Sequence, residues 1–338
     1  MTTTTPVETD IDILYPDLSA LVFGIAVQQL DPTAVPAGLE SLLPTAGRAT
    51  LRNRSGEPTT HKQAEKANVE TDALKGAEKY ARPNGHDYYS RSWGDHTDIE
   101  VLRKARQARQ FVLLYGSPGC GKTALVEGAF GDELLTIIGS GDTELSDFIG
   151  GYVQTPSGGF EWIDGALVVA VEQGRPLLID EVGLIDPKVM SAVYGLMDGR
   201  DELTITQNPE RGTVKAKEGF YVVGETNPNA PGVRLSEALL SRFTIQVEMT
   251  TDWGLAKKLG VSAPMITASQ NLSKKQASGE VSWSPQMREL LAFRDLSKTF
   301  GTKWAVANLL AGSPENDRPV VADVFTRVFG EEVKPAKI

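Results

Sequence analysis

Cysteine and histidine are scarce in this chain: one cysteine, Cys120, and three histidines, His61, His86 and His96, occur in 338 residues. A lone cysteine excludes an internal disulfide framework and a cysteine-based zinc site. Three scattered histidines make a poor catalytic transition-metal centre. Long apolar runs are missing too. The longest, such as LVFGIAV from Leu21, have the length of a core segment and fall short of a membrane span. The opening residues, MTTTTPVETDID, lack the basic start and apolar core of a secretory signal. A soluble protein of the reducing cytoplasm is the expectation. The chain also lacks an excess of positive charge, its formal net charge being −10. Broad, nonspecific binding along a nucleic-acid backbone needs clustered Lys and Arg and is disfavoured, whereas a local basic pore or groove is not.

Hydrophobic residues make up 41% of the chain, enough for a sizeable core and about two domains of ordinary size. Residues 1–80 stand apart, being rich in Thr, Ala and Pro, with the short apolar pieces LSALVFGIAVQQL and AGLESLLP broken by prolines. They read as a disordered tip, a small helical element, a linker over Arg48–Thr60 and an exposed helix over His61–Tyr80. Partner docking and plain tethering are both open for this region. ARPNGHDYY then supplies turn chemistry.

From Gln110 to Glu248 strands and helices alternate, the pattern of a parallel sheet flanked by helices. FVLLYG, ELLTIIG, RPLLIDEV, GFYVVGETNP and FTIQVEM are the five strand candidates. DPKVMSAVYGLMDG reads as a helix with Asp186 as N-cap and Pro187 at its first position. From Thr251 the pattern is helical. The expected organisation is an N-terminal region (1–80), an α/β nucleotide-binding domain (81–250) and a helical lid (251–338).

The first strand runs into GSPGCGKT, so that Gly116, Gly121, Lys122 and Thr123 satisfy G-x-x-x-x-G-K-[ST] between a strand and a helix. In such a loop the glycines let successive backbone N–H groups curl around a phosphate, and the helix N-terminus adds its positive end. Gly116, Ser117, Pro118, Gly119, Cys120, Gly121, Lys122, Thr123 and Ala124 are the expected nucleotide-binding run, with Cys120 contributing its backbone only. Lys122 would bridge the β- and γ-phosphate oxygens, and the Thr123 hydroxyl would coordinate Mg²⁺. PLLIDE places Asp180 and Glu181 at the C-terminal end of a buried strand, the end that faces the ligand crevice of an open parallel sheet. There Asp180 can hold the Mg²⁺ shell, and Glu181 can take a proton from, or orient, an attacking water.

Two further segments carry a resemblance. GETNP, with Asn227 closing the fourth strand, resembles the sensor-1 segment of AAA+ ATPases, and LSEALLSRF, with Arg242, resembles their arginine-finger segment. TELSDFIGGYVQTPSGGFEWIDGALVVAVEQGRPLLIDE resembles the MoxR and dynein-related branch. There an inserted hairpin, punctuated here by Gly150-Gly151, the turn Pro156–Gly159 and Gly165, interrupts the second helix. ELTITQNPERGTVKAKEG resembles that branch's second insertion. SPQMRELLAFRDLSKTFG and DRPVVADVFTRVFGEEV are most similar to the ATPase subunit of aerobic cobaltochelatase, and the whole resemblance spans about residues 85–335.

The resemblance implies ATP with Mg²⁺. It also implies a homo-oligomeric ring, usually a hexamer, in which Asn227 senses the γ-phosphate or places the water while Arg242 reaches the neighbouring subunit's site. Arg288 is the sensor-2 candidate, although the family's S-P-R reads Ser284-Pro285-Gln286 here; Arg234 is an alternative near the interface. The implied activity is ATP-driven remodelling of a protein partner, often one with a von Willebrand factor A domain. A nucleic-acid motor or loader is the alternative, but Arg211, Lys215 and Lys217 in the second insertion are offset by Asp201, Glu202 and Glu210. An inactive nucleotide-binding scaffold is a third reading, opposed by the intact Lys122, Thr123, Asp180 and Glu181. The hairpin aromatics Tyr152, Phe160 and Trp162 either face a partner or pore, or pack on their own domain.

Overall fold

The computed structural model describes residues 77–336, which fall within one compact unit, Ala67–Ile338. The expected tip, helical element and linker lie outside the described residues, as does the exposed helix up to residue 76. The end of that helix is corrected. Lys79–Ala81 is a strand, β1, paired antiparallel with β2 (Asp87–Tyr89). The PNG turn folds the chain back: Arg82 N–H donates to the His86 carbonyl, and Asn84 Oδ1 accepts from the His86 N–H. The fold-back buries Tyr88 in the core, a burial that an isolated exposed helix would not obtain. A second short ribbon, β3 (Ser92–Trp93) and β4 (His96–Thr97), leads into α1 (Asp98–Gln107). A Thr97–Glu100 capping box starts that helix.

The next elements are β5 (Val112–Tyr115), α2 (Lys122–Phe130), β6 (Leu135–Ile138), α3 (Leu145–Ile149), the hairpin β7 (Gly150–Gln154) and β8 (Phe160–Asp164), α4 (Ala166–Gln173) and β9 (Pro176–Asp180). Then come α5 (Pro187–Met197), the hairpin β10 (Glu202–Thr204) and β11 (Thr213–Lys215), β12 (Tyr221–Thr226), α6 (Glu237–Leu240) and β13 (Ile245–Glu248). Five of these strands form one sheet in the order β13-β5-β12-β9-β6, every pairing parallel. The expected strands and the Asp186–Pro187 helix start are all present. Parallel strands covered on both faces by helices read as unbroken apolar runs, and VLLY and PLLID are such runs. The middle strand, β12, is buried along its whole length, which makes the charge of its Glu225 conspicuous.

The hairpin β7–β8 separates α3 from α4, as the resemblance implied, and answers the question about its aromatics in both senses. Tyr152 and Trp162 meet edge to face with centroids 5.2 Å apart, and Trp162 packs against the core. Phe160 stays 70% exposed. The two insertions are tied together: Arg211 forms ion pairs with Asp164 at the foot of the first hairpin and with Glu172 on α4.

Beyond β13 the chain is helical: α7 (Trp253–Lys258), α8 (Ala263–Ala277), α9 (Met287–Phe300), α10 (Thr302–Gly312) and α11 (Arg318–Phe329). These helices enclose a second core around Met265, Leu290, Phe293 and Phe325. No helix among the described residues is long and apolar enough to cross a membrane.

Candidate nucleotide site

The sheet order decides what meets what. Because β12 lies between β5 and β9, its C-terminal end stands between the loop after β5 and the acidic pair after β9. Gly116 N–H donates to the Thr226 carbonyl over 3.2 Å, anchoring the start of the phosphate loop to β12. The loop closes at Gly121, whose φ of 102° lies in the left-handed region that glycine enters without penalty. No side chain caps α2 there, so its first N–H groups remain available to an anion. Lys122 is buried and folds over its own loop, donating from Nζ to the Gly116 carbonyl at 3.0 Å and the Ser117 carbonyl at 3.4 Å.

Burial pushes the Cys120 thiol upward, and its side chain sits in the core. Its backbone is bonded within the loop and to Arg91: the N–H donates to the Ser117 carbonyl and the carbonyl accepts from Arg91 Nη2.

Asp180 ends β9. Glu181 follows with φ 48°, an uncommon conformation for a residue with a Cβ, and this turns its side chain toward the end of β12. There Glu181 Oε2 accepts from the Asn227 N–H at 3.3 Å. The Asn227 side chain itself closes its own turn, Oδ1 accepting from Asn229 N–H at 3.2 Å. The expected pair of acid and sensor asparagine is thus adjacent, linked through backbone rather than through the amide.

Two participants carried no motif in the sequence. Glu225, one residue from the β12 terminus, accepts from Thr123 Oγ1 at 2.6 Å. Its other oxygen, Oε2, is buried and receives no N–H or hydroxyl donor. Burial first, and then the neighbouring Asp180 carboxylate, push Glu225 up to about 9. The two carboxyls lie within hydrogen-bonding reach, so a proton held between them would relieve their repulsion. The second participant is Arg91, from the turn before β3. It donates from Nη2 to the Cys120 carbonyl at 2.7 Å and from Nη1 to the Thr250 carbonyl at 3.0 Å, clamping the phosphate loop to the segment that enters the helical region. An apolar, alternating or glycine-rich signature could have flagged neither residue. Glu225 stood out only as a charge in an otherwise apolar strand run.

The Thr123 hydroxyl and the Asp180 carboxylate offer hard oxygen donors of the kind Mg²⁺ takes, beside a loop shaped for phosphate. The metal therefore fits the residues present.

Arg288 N–H donates to the Gly119 carbonyl at 3.1 Å, so the start of α9 rests on the phosphate loop while the Arg288 side chain is exposed. Gln286, which stands where the family pattern has arginine, has a structural task. It forms a capping box with Glu289 and accepts from Thr251 Oγ1 at 2.7 Å. Arg242 is bonded elsewhere. It pairs with Asp198 at 2.7 Å, bonds the Ala238 carbonyl and lies 4.3 Å over the Tyr194 ring. Arg234 is exposed.

Residues 111–243 match the family model described as AAA domain, dynein-related subfamily. That stretch is similar to the domain that the family model describes. Midasin of Giardia intestinalis is 34% identical over 148 residues, 42% of this chain but 3% of its own length. Midasin of Dictyostelium discoideum is 34% identical over 154 residues, 43% of this chain and 2% of its own. The uncharacterized protein YojN of Bacillus subtilis strain 168 is 29% identical over 230 residues, covering 62% of this chain and 75% of that one. The chain thus spans a few per cent of the length of the midasins it matches.

Proposed function

We propose that this protein binds ATP with Mg²⁺ and hydrolyses it in a homo-oligomeric ring, using the energy to remodel a protein partner. The observation that supports this reading best is the convergence of Lys122, Thr123, Asp180, Glu181 and the end of β12 at one edge of the sheet. The loop Gly116–Ala124 cradles the phosphates through those of its backbone N–H groups that are left free at the start of α2, and Lys122 leaves its own loop carbonyls to meet them. Thr123 and Asp180 hold the metal, which neutralises phosphate charge when bound. Glu181, fixed against the Asn227 backbone, orients or deprotonates the attacking water. Arg288 approaches from the helical lid as sensor 2.

Arg242 completes the site of the next subunit. It must first part from Asp198, which makes its present contact a resting position. A hexamer and a partner bearing a von Willebrand factor A domain follow from the MoxR and cobaltochelatase resemblance, and cytoplasmic residence fits the composition. The nucleic-acid alternative gains nothing from the second insertion, because Arg211 is committed to Asp164 and Glu172.

The test is Glu181→Gln, which should retain ATP binding and lose turnover by at least about a hundredfold. Undiminished hydrolysis would remove Glu181 from the chemistry. Mixed rings of Glu181→Gln and Arg242→Ala subunits should regain part of the activity, and failure of rescue in verified mixed rings would count against action in trans.

A further inference from the structure

We infer that Glu225 is a positioning residue for the divalent cation of the nucleotide site: by accepting the Thr123 O–H it turns that hydroxyl's lone pairs toward the metal. The inference rests on the nucleotide-site reading above. It starts from a cost. Glu225 is 2% exposed on the central strand, where an apolar side chain would fill the space without desolvating a carboxyl. The neighbouring cation, Lys122, directs its Nζ at the Gly116 and Ser117 carbonyls. The one hydrogen bond that Glu225 receives from a neighbouring side-chain donor comes from Thr123, over 2.6 Å.

A hydroxyl has one hydrogen to donate and lone pairs with which to accept or coordinate. A Thr123 hydroxyl free to rotate would point its hydrogen at a cation in part of its rotamers and repel it. Committed to Glu225, the hydrogen is directed into the sheet, and the lone pairs face the other way. The topology makes this possible because β12 separates the strand that leads to Thr123 from the strand that ends in Asp180. A side chain at position 225 therefore lies beneath both metal-facing groups. The second oxygen, Oε2, is buried, receives no N–H or hydroxyl donor and lies against the Asp180 carboxyl, a second sign that the group is aimed into this site. Groups that orient a metal ligand commonly change metal affinity by about 10–100-fold when removed.

The experiment uses the full chain with Mn²⁺ as the probe, titrated by electron paramagnetic resonance in the presence of saturating ADP. ADP affinity is measured separately in EDTA. Glu225→Gln keeps an acceptor oxygen, whereas Glu225→Met matches its size without one; Glu225→Leu serves as a second acceptor-free variant in case Met is not tolerated. The expected result is Mn²⁺ binding about tenfold weaker in the acceptor-free variants and within about threefold of wild type in Gln, with ADP affinity in EDTA unchanged throughout. Wild-type Mn²⁺ affinity in the Met or Leu variant would overturn the inference. So would a Gln variant as weak as Met, since the site would then need charge rather than an acceptor. A parallel loss of ADP affinity in EDTA would reduce Glu225 to support of the loop. If the wild-type chain itself bound no ADP, the nucleotide-site reading would be what failed.

Discussion

Gly116→Ala probes the junction on which the phosphate loop depends. Gly116 has φ 147°, and a Cβ placed on it would stand 2.3 Å from the Met249 carbonyl oxygen. An ordinary contact begins at 3.4 Å, so something must move by about 1 Å. The obstacle is backbone and cannot rotate away. The Met249 N–H is bonded to the Tyr115 carbonyl at 2.7 Å, and β13 is paired along β5. Relief therefore requires peeling β13 from the sheet or displacing the loop. Backbone strain of this kind costs about 1–3 kcal/mol, and overpacking against a fixed neighbour a further 1–3 kcal/mol. The expected destabilisation is about 3–5 kcal/mol, a large part of the 5–15 kcal/mol typical of a folded domain.

Urea unfolding should show it as a lowered midpoint, and titration with a fluorescent ATP analogue should show weakened binding. Gly141→Ala is the control: nothing lies within 4 Å of its added Cβ, and its backbone is not in the left-handed region. A Gly116→Ala protein with the wild-type midpoint and full nucleotide affinity would refute the argument from the β5–β13 junction.

Glu225 sets a pH dependence on the metal-free protein. With its carboxyl raised from the ordinary 4.5 to about 9, the folded state keeps a proton that the unfolded chain releases. The associated stability is complete below about 4.5 and is lost as pH rises toward 9, at up to about 1.4 kcal/mol per pH unit. Glu225→Gln, which mimics the protonated form, should flatten that slope in urea titrations run in EDTA; parallel slopes for the two proteins would contradict it. Asp198→Ala should leave ATP turnover at or above wild type if Asp198 only parks Arg242, while Arg242→Ala should lower it by about 10³-fold or more. Equal losses in the two variants, measured by steady-state phosphate release, would show that the pair acts as one structural unit.

Much of the fold was legible because it rests on local rules. Continuous apolar runs such as VLLY and PLLID belong to strands buried on both faces, and Asp186-Pro187 is a helix start. Each of these signals lies within a few residues of the structure it specifies. The helix expected to reach Tyr80 failed because the competing strand β1 depends on a partner across the PNG turn and on Tyr88 finding the core.

The site divides along the same line. Gly116–Thr123, Asp180 and Glu181 are candidates that the chain alone suggests, since phosphate and metal chemistry calls for those residue types at the ends of strands, and Asn227 is a candidate through the resemblance. Glu225 and Arg91 could not. Glu225 matters because β12 runs between β5 and β9, so that a residue 102 positions from Thr123 meets its hydroxyl. Arg91 matters because a turn outside every motif returns to the Cys120 carbonyl. The sequence by itself singled out the candidate residues for holding a phosphate. The order of strands in the sheet, a property of the packed core as a whole, decided which further side chains stand beneath them.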